Sequence, residues 1–309
     1  MIILVNPEAG GGTGLKKWRA IAARVQERTG PFTEVITPDL KAMESAVDKA
    51  LGAGETQFVA AGGDGTFNAL ANHILRRVPD PSAAGTILGA IGLGSSNDLH
   101  KPLNPPAIID GCPVMLDFNA ARPRDVGVAT YLHDGVQRSR VFLINASAGV
   151  IAEGNLFFNQ PDRVLAWLKG RSTALAILYA SLRTILLFRN QPVVVTSTET
   201  GSFTSDLTNI GIVKNPHFTG DLRYPGEADY GNGQFTVYLF GGLRRRGLLR
   251  LMKALSKGVF PSDIHARVWT SQKIEISSSS PIAVESDGEV VRTHSVAFHI
   301  LPRRMRVCP

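Results

Sequence analysis

The fold is decided by one stretch of the sequence, Phe58-Val59-Ala60-Ala61-Gly62-Gly63-Asp64-Gly65-Thr66-Phe67-Asn68. Its first four residues are apolar and predict a buried strand, and the apolar residues from Phe67 to Ile74 recur at helical spacing. Glycines at a strand-to-helix turn let backbone N–H groups converge on an anion, and the helix N-terminus adds a favourable dipole. The stretch therefore predicts an anion-binding turn between a strand and a helix.

Asp64 is the residue of this turn that needs an explanation, because a carboxylate repels a phosphate unless a cation lies between them. We therefore expect Mg²⁺ at Asp64, bound directly or through water. The predicted contacts to phosphate come from the remaining residues of the turn: Gly62, Gly63, Gly65, Thr66 and Asn68. The alternative is an ordinary strand-to-helix turn in which Asp64 caps the helix.

Two further glycine-rich loops follow predicted strands, Asn6–Gly14 and Gly92–Leu99. In a parallel sheet these loops lie at the same edge as the first turn, where ligands bind. The residues expected to contact a nucleotide there are Asn6, Gly10, Thr13, Gly94, Ser95 and Asn97, and Asp98 adds a second carboxylate. A plain helix start is the alternative for Ser95–Asp98.

Neither loop carries a common nucleotide signature. Lys16 and Lys17 are out of register for a GxxxxGK[ST] loop, and the chain has no GxGxxG run. This pattern disfavours an NAD-dependent dehydrogenase.

Strand and helix patterns alternate through the first hundred residues. The predicted strands are Ile2–Val5, Thr33–Thr37, Phe58–Ala61 and Ile87–Ile91. This alternation is typical of a parallel sheet with helices on both faces, that is, a Rossmann-like α/β domain.

After about Pro106 the pattern changes to short strands with few helical intervals, which favours an antiparallel sandwich or barrel. Two helical insertions are expected, at about Arg163 to Phe188 and about Leu243 to Lys257, and Ser277–Ser280 is predicted to form a turn. We place an α/β domain at 1–112 and a β-sandwich domain at 113–289.

The stretch Glu285-Ser286-Asp287-Gly288-Glu289 places carboxylates around a glycine turn. One carboxylate could take a proton from an attacking hydroxyl, and another could help to organise a metal. A plain hairpin turn is the alternative interpretation. Together with the three glycine-rich loops, these acids indicate nucleotide phosphate and Mg²⁺, which are the requirements of phosphoryl transfer.

The composition limits the classes of protein that remain. Of 309 residues, 44% are hydrophobic, which suits a folded chain of one or two domains, and two cysteines make no disulfide framework. The apolar window Thr173–Phe188 is short for a membrane span and contains Arg183. With no basic region before the apolar start, we expect a cytoplasmic protein.

The net charge of +7 suits a polyanionic partner. Its clearest clusters are Arg244–Lys257 and Arg303–Arg306. Solvated surface faces are the alternative interpretation of both clusters.

The ordered set of motifs resembles the bacterial diacylglycerol/lipid kinase family, which is related to sphingosine and ceramide kinases. The motifs are NPEAGG from Asn6, GGDGT from Gly62, GSSND from Gly94 and DGE from Asp287. The resemblance implies an α/β nucleotide domain, a β-sandwich domain and an active site in the cleft between them. It also implies that the C-terminal tail, at about 290–309, returns to the first domain.

The resemblance also implies roles for individual residues. Asn6 and the loop Gly10–Thr13 would contact ATP, and Gly63 to Thr66 with Ser95 would hold phosphates or adenosine. Asp64, Asp98 and Glu289 would organise Mg²⁺ through waters. Asp287 would be the general base on the lipid hydroxyl.

A second, structural Mg²⁺ site is implied around Asp229, Asn232 and Gln234. Asn232 stands where the family usually has Asp, and a neutral amide is a weaker ligand for a hard cation. Ala9 and Ser95 also depart from the family pattern, as do His100 and Lys101 after the ND pair.

The sequence thus predicts an ATP-dependent lipid kinase that visits an anionic membrane surface at the inner face of the membrane, with no nucleic-acid partner. A homodimer stays open, as does the acceptor lipid. Two alternatives remain: an NAD kinase, which shares GGDGT, and a catalytically silent regulator that binds a nucleotide or lipid.

Overall fold

The computed structural model describes residues 1–102, 107–160 and 162–309, so Pro106 lies outside the described residues. The first strands are β1 (Ile2–Val5), β2 (Thr33–Ile36), β3 (Gln57–Gly62) and β4 (Ile87–Gly92). They run parallel in the order β4-β3-β1-β2. The helices between them are α1 (Ala9–Gly12), α2 (Gly14–Thr29), α3 (Leu40–Gly52) and α4 (Asp64–Arg77), and a 3₁₀ turn (Asp98–His100) follows β4.

Both faces of this sheet are buried, which explains its continuous apolar strands. Alternate residues of β1 point to opposite faces, so Leu4 packs with α3 and α4, and Ile3 packs with α2. Trp18 of α2 is fully buried, and its indole N–H donates to Glu34 at 2.8 Å. The predicted α/β layer is therefore confirmed.

The remainder of the chain is rich in strands. They are β5 (Ala107–Ile109), β6 (Cys112–Met115), β7 (Arg122–His133), β8 (Val136–Phe142), β9 (Asn145–Gly149), β10 (Gln191–Ser197), β11 (Gly201–Val213), β12 (His217–Phe218), β13 (Leu222–Arg223), β14 (Phe235–Gly241), β15 (Arg267–Ser271), β16 (Lys273–Ser286) and β17 (Glu289–Val307). The helices of this part are α5 (Val150–Asn159), α6 (Arg163–Lys169), α7 (Thr173–Leu187) and α8 (Arg245–Leu255).

Strands β7 to β11 and β14 to β17 pair antiparallel and enclose a second apolar core, which is the predicted β-sandwich. Phe142 lies in this core, with its ring 5.6 Å from that of Phe235 and 6.1 Å from that of Phe298. Strand β17 then returns to the first sheet, where Arg306 and Val307 pair parallel with β4.

The junction of the two layers differs in detail from our division at 112/113. That division falls inside β6, which pairs with β4 of the parallel sheet. The domain limits themselves stay a prediction.

The sequence pattern missed one helix, and one local expectation was wrong. Helix α5 was not predicted, and the helical insertion expected at about Arg163 to Phe188 consists of two helices, α6 and α7. Ser277–Ser280 is not a turn but part of β16, where the pairing with β17 shifts register between Ser277 and Ile282. Ser277 and Ser278 pair with β10 on the other side, which holds this part of β16 in a strand despite the modest strand propensity of serine.

A first prediction concerns Gly127 of β7, over which the Phe142 ring packs. A Cβ atom at Gly127 would lie 2.2 Å from Cζ of Phe142, and the neighbouring rings block the escape of that ring. We expect Gly127→Ala to lower the free energy of unfolding by about 1–3 kcal/mol in urea titrations. Gly52→Ala is the control, because open space surrounds Gly52 at the end of α3. Equal effects of the two variants would contradict this packing.

Candidate active site

The three glycine-rich loops meet at the carboxyl ends of β1, β3 and β4. The Asn6 side chain donates to the Thr66 hydroxyl at 2.9 Å, which joins the first loop to the second. The Lys17 ammonium donates to the Leu93 carbonyl at 3.1 Å, which joins α2 to the third loop. The structure thus brings the predicted loops together at one sheet edge.

Glycine is required where these loops touch. A Cβ atom at Gly94 would lie 2.6 Å from Cα of Gly63. At Gly10, φ is +61°, and a Cβ atom would lie 2.7 Å from the Leu93 carbonyl oxygen. Close backbone approach and the left-handed conformation explain these two glycines.

The N-terminus of α4 is open toward the cleft. Gly63 is the residue before the helix and has no side chain to cap it, and Gly65 in the first turn is exposed. Exposed N–H groups at the start of a helix bind anions well. Thr13 and Ser95 are also exposed, and the Thr13 hydroxyl donates to the Gly10 carbonyl at 2.8 Å.

Asp64 connects the second loop to the third. Its two carboxylate oxygens accept N–H groups of Asp98 and Leu99, each at 3.0 Å. Asp64 therefore caps the 3₁₀ turn Asp98–His100 rather than its own helix. Burial raises the pKa of Asp64, and the charge of Asp98 raises it further. The two carboxylates are thus held near each other at an electrostatic cost.

Asp98 is buried and faces a cation. Lys101 donates to its carboxylate, and the Gly220 N–H donates to it at 3.3 Å. Asn97, at φ +50°, folds its side chain back to accept the Gly94 N–H at 3.1 Å. Asn97 therefore shapes the loop with its side chain.

Asp287 lies at the tip of the β16–β17 hairpin, in a two-residue turn whose residues have φ +45° and +91°. One carboxylate oxygen accepts the N–H groups of Ile144 and Asn145 at 3.1 and 3.0 Å. The other accepts the Leu143 N–H at 2.8 Å and the Asn68 side-chain amide at 2.9 Å. Burial nevertheless raises the pKa of Asp287 to about 6, against the opposing effect of these donors. The predicted phosphate contact Asn68 is thus a direct partner of Asp287.

Glu285 is a residue that the sequence reasoning quoted but gave no role. It is buried, and its carboxylate accepts the Gly288 N–H and the Ser147 hydroxyl, the latter at 3.1 Å. Burial raises its pKa to about 7, and the nearby Asp287 adds to this shift. The alternation of acids at 285, 287 and 289 is the sequence signal that could have singled it out.

These groups line one cleft of about 570 Å³ between the α/β layer and the sandwich. The acids along it are Asp64, Asp98, Glu285, Asp287 and Glu289. The Glu289 side chain is 59% exposed and lies 3.6 Å from the Arg140 guanidinium. Asp229, Asn232 and Gln234 are not among the residues that line this cleft.

One part of the cleft, here called the apolar branch, lies against α5 and α7. Ile151 and Phe158 of α5 and Ile177 of α7 line it, with Asn155 and Asn159 beside them. A smaller cavity of about 50 Å³ continues between α5 and α7, past Val150 and Ile185. A ligand with a polar end and an apolar chain fits such a shape.

The described residues hold no cluster of three His, Cys, Asp or Glu side chains arranged to ligate a metal directly. The donor chemistry at Asp64 and Asp98 still fits a hard cation held through water. Each Asp64 oxygen accepts one N–H, and Lys101 contacts one oxygen of Asp98, so these carboxylates keep acceptor positions for bridging waters. The oxygens around Asn232 do not fit a metal, because the Lys214 ammonium already contacts them.

The molecule so described is a two-layer protein, α/β and β-sandwich, with an acidic, glycine-lined cleft. Residues 1–129 match the model of the diacylglycerol kinase catalytic domain, and residues 147–309 match that of the YegS C-terminal NAD kinase beta sandwich-like domain. The chain belongs to this diacylglycerol kinase and NAD kinase-like family, as the motifs predicted. A comparison with curated proteins gave no match.

Solved structures from Bacillus anthracis strain Sterne share the fold. Two described as candidate diacylglycerol kinases are 17% and 16% identical, with TM-scores of 0.72 and 0.73. Each match covers 99% of this chain, and 94% and 96% of the other chain. A third, described as a diacylglycerol kinase, is 15% identical with a TM-score of 0.68, over 99% of this chain and 95% of its own. Family and fold support a kinase.

A second prediction follows from the raised pKa values of Glu285 and Asp287. The folded state binds these protons more tightly than the unfolded state, so stability falls as pH rises from the ordinary values of 4.5 and 3.8 through about 7 and about 6. We expect Glu285→Gln to reduce this fall between pH 4.5 and 7. Urea titrations at a series of pH values measure it.

The matched control is Glu275→Gln, whose carboxylate is on the surface with 51% of its side chain exposed. This variant should keep the wild-type pH dependence. A Glu285→Gln chain with an unaltered slope would contradict the assignment of the proton to Glu285.

Proposed function

We propose that the chain is an ATP-dependent lipid kinase that phosphorylates a hydroxyl of a diacylglycerol-like lipid. The observation that carries the proposal is the single cleft that joins the glycine loops, the Asp287 carboxylate and an apolar branch. A nucleotide phosphate suits the open N-terminus of α4, and an acyl chain suits the branch between α5 and α7.

In the proposed reaction the lipid hydroxyl attacks the terminal phosphorus of ATP while Asp287 takes its proton. The bond from that phosphorus to the bridging oxygen breaks, and ADP leaves. In the free protein, four N–H donors occupy the lone pairs of the Asp287 carboxylate. The substrate hydroxyl needs one of these lone pairs, so one donor has to leave. We expect this donor to be the Asn68 amide, because it is the only side chain among the four. A pKa of about 6 leaves Asp287 mostly ionised at pH 7.

Cations on the protein support phosphate binding in an otherwise acidic cleft. Lys17 and Lys101 lie at the third loop, where Lys101 partly neutralises Asp98. Asp64, Asp98 and Glu289 would hold Mg²⁺ through water, and the ion would offset the charge of the phosphates.

The third prediction tests the base. We expect Asp287→Asn to abolish turnover, with a loss of at least about 10²–10⁴-fold, because an amide cannot accept the proton. Nucleotide affinity should stay within a few-fold of wild type. Transfer of label from ATP to lipid measures the first, and calorimetry with ATP and Mg²⁺ measures the second.

Wild-type activity should also fall as the pH falls through about 6, because protonated Asp287 cannot act as a base. Near-normal turnover of Asp287→Asn would rule out the base role. Glu285→Gln is the matched variant, since it alters a neighbouring buried carboxylate and keeps Asp287.

The NAD kinase alternative and the silent regulator are separated by one assay. The chain is incubated with labelled ATP and Mg²⁺, and with either a total lipid extract or NAD. Label in a lipid supports the proposal, label in NADP supports the NAD kinase, and bound ATP without transfer supports the regulator. The apolar branch of the cleft favours the lipid.

We also propose that the chain reaches its substrate at an anionic membrane surface through α6 and α7. Their exposed apolar residues are Val164, Trp167, Leu175, Leu178, Leu182, Leu186 and Leu187. The Arg171 guanidinium lies 4.1 Å from the centre of the Trp167 ring, so a cation accompanies the aromatic side chain. The other face of α7 lines the apolar branch through Ile177, so a lipid has a short path inward. Among the described residues, no helix is both long and apolar enough to span a bilayer.

The fourth prediction concerns this surface, and its double variant is Leu178→Asp with Leu182→Asp. Each leucine is about half exposed, so the fold should tolerate the change, while membrane partitioning should fall roughly tenfold or more. Co-sedimentation with phosphatidylglycerol-containing vesicles measures it, in comparison with neutral vesicles and with higher salt.

Leu132→Asp is the matched control, because Leu132 on β7 is exposed to the same degree and lies outside α6 and α7. The docking proposal would be overturned if vesicle binding were the same for the double variant and the wild type and did not depend on lipid charge or salt. A wild-type dimer by light scattering that the double variant dissociates would assign the surface to self-association instead.

A further inference from the structure

A buried ammonium ion lies where the resemblance implies a structural metal. The side chains of Lys214, at the end of β11, and of Asp125, on β7, are 1% and 0% exposed. The Lys214 Nζ atom lies 2.9 Å from Asp125 Oδ2, 2.9 Å from Asn232 Oδ1 and 2.8 Å from the Gln234 carbonyl oxygen. Each of the three N–H groups of the ammonium thus has its own oxygen acceptor.

This set of carboxylate, amide and carbonyl oxygens is the ligand chemistry of a hard cation. A divalent ion cannot share these oxygens with the ammonium, since the two positive charges would lie within a few ångströms of each other. Asp229, the remaining candidate ligand, instead accepts the Gly231 N–H at 3.1 Å within its own turn. The charges also match, because one ammonium balances the carboxylate of Asp125 and the amide at position 232 adds none.

We propose that Lys214 is a built-in replacement for a structural divalent cation, so that this part of the fold is held without metal. Asp125 completes the arrangement by accepting the N–H groups of Gly233 at 2.8 Å and of Arg303 at 3.0 Å. The ammonium therefore ties β7 and β11 to the loop before β14, and the Asp125 carboxylate adds β17.

The position of Lys214 connects this ion pair to the candidate active site. The N–H groups of Lys214 and Asn215 both donate to the Ile144 carbonyl, at 3.0 and 2.9 Å. The Asn215 side chain donates to the Asp98 carbonyl at 2.9 Å, and the Ile144 N–H donates to Asp287. Lys214 and Asn215 thus contact the backbone of Asp98 in the first layer. They also contact the backbone of Ile144, which binds Asp287 in the second layer.

The fifth prediction compares melting temperatures in the absence of nucleotide. Any rise of the wild-type Tm in Mg²⁺ over EDTA should come from the cleft acids alone, so Asp98→Asn, which removes one of them, should have the same Tm in both. Lys214→Met should lower the Tm by roughly 5–10 °C, because it leaves the Asp125 carboxylate buried and unpaired. Lys273→Met is the control, since Lys273 forms an exposed pair with Glu275 and its loss should leave the Tm unchanged.

A double variant, Lys214→Gly with Asn232→Asp, tests the replacement directly. It removes the ammonium and adds a carboxylate, so its Tm should rise by several degrees with Mg²⁺ or Ca²⁺ and fall again with EDTA. The rise in Tm with metal must be larger for the double variant than for the wild type, because this comparison corrects for weak metal binding in the cleft.

Three outcomes would overturn the inference. The first is a wild-type Tm that rises with Mg²⁺, when the Tm of Asp125→Asn does not. The second is a Lys214→Met variant that melts at the wild-type Tm. The third is a double variant that folds but whose Tm does not respond to metal. If the variants of Lys214 and Asp125 do not fold, Asp98→Asn still decides, because a rise of its Tm in Mg²⁺ over EDTA would place a metal outside the cleft. None of these measurements uses an acceptor lipid, so they stand apart from the kinase proposal.

Discussion

The arrangement of the cleft depends on one buried carboxylate, that of Asp287. Burial of a charge is costly unless hydrogen bonds replace water, and here Asp287 is held by three backbone N–H groups and the Asn68 amide. Those donors come from α4 of the first layer and from Leu143 to Asn145 of the second, where the chain passes from β8 into β9. The same interaction therefore fixes the hairpin tip and holds the two layers together at the cleft.

The acids of the cleft differ in their surroundings, and this difference separates their roles. Asp64 is occupied with backbone N–H groups of the 3₁₀ turn, and Asp98 faces Lys101. Glu285 and Asp287 are buried among N–H and O–H donors, and burial nevertheless raises their pKa values to about 7 and about 6. A carboxylate whose pKa lies near 7 suits acid–base work, and the proposed kinase mechanism gives that work to Asp287.

Much of the fold could be predicted because its signals are local. Strands β1, β3 and β4 are short apolar runs ended by glycine or asparagine, and α3 begins at Asp39, whose side chain accepts the Ala42 N–H at 2.8 Å. Helix α5 was missed because its sequence, VIAEGNLFFN, directly follows a strand and contains a glycine. Its helical state depends on packing against α7 and the sandwich, which no local pattern records.

The sequence by itself determined the glycine loops, the order of the acidic motifs and the family, because these depend on residue type and spacing along the chain. Only the tertiary structure decided that Asp64 caps the next loop, that Glu285 is buried beside Asp287, and that Lys214 lies among the oxygens expected for a metal. The pairs Asp125 with Lys214 and Asn68 with Asp287 are separated by 89 and 219 residues. Contacts of that range are set by strand pairing and burial. They give the turn Gly62–Thr66 its partners, and the turn alone indicates no more than an anion-binding site with an acid in it.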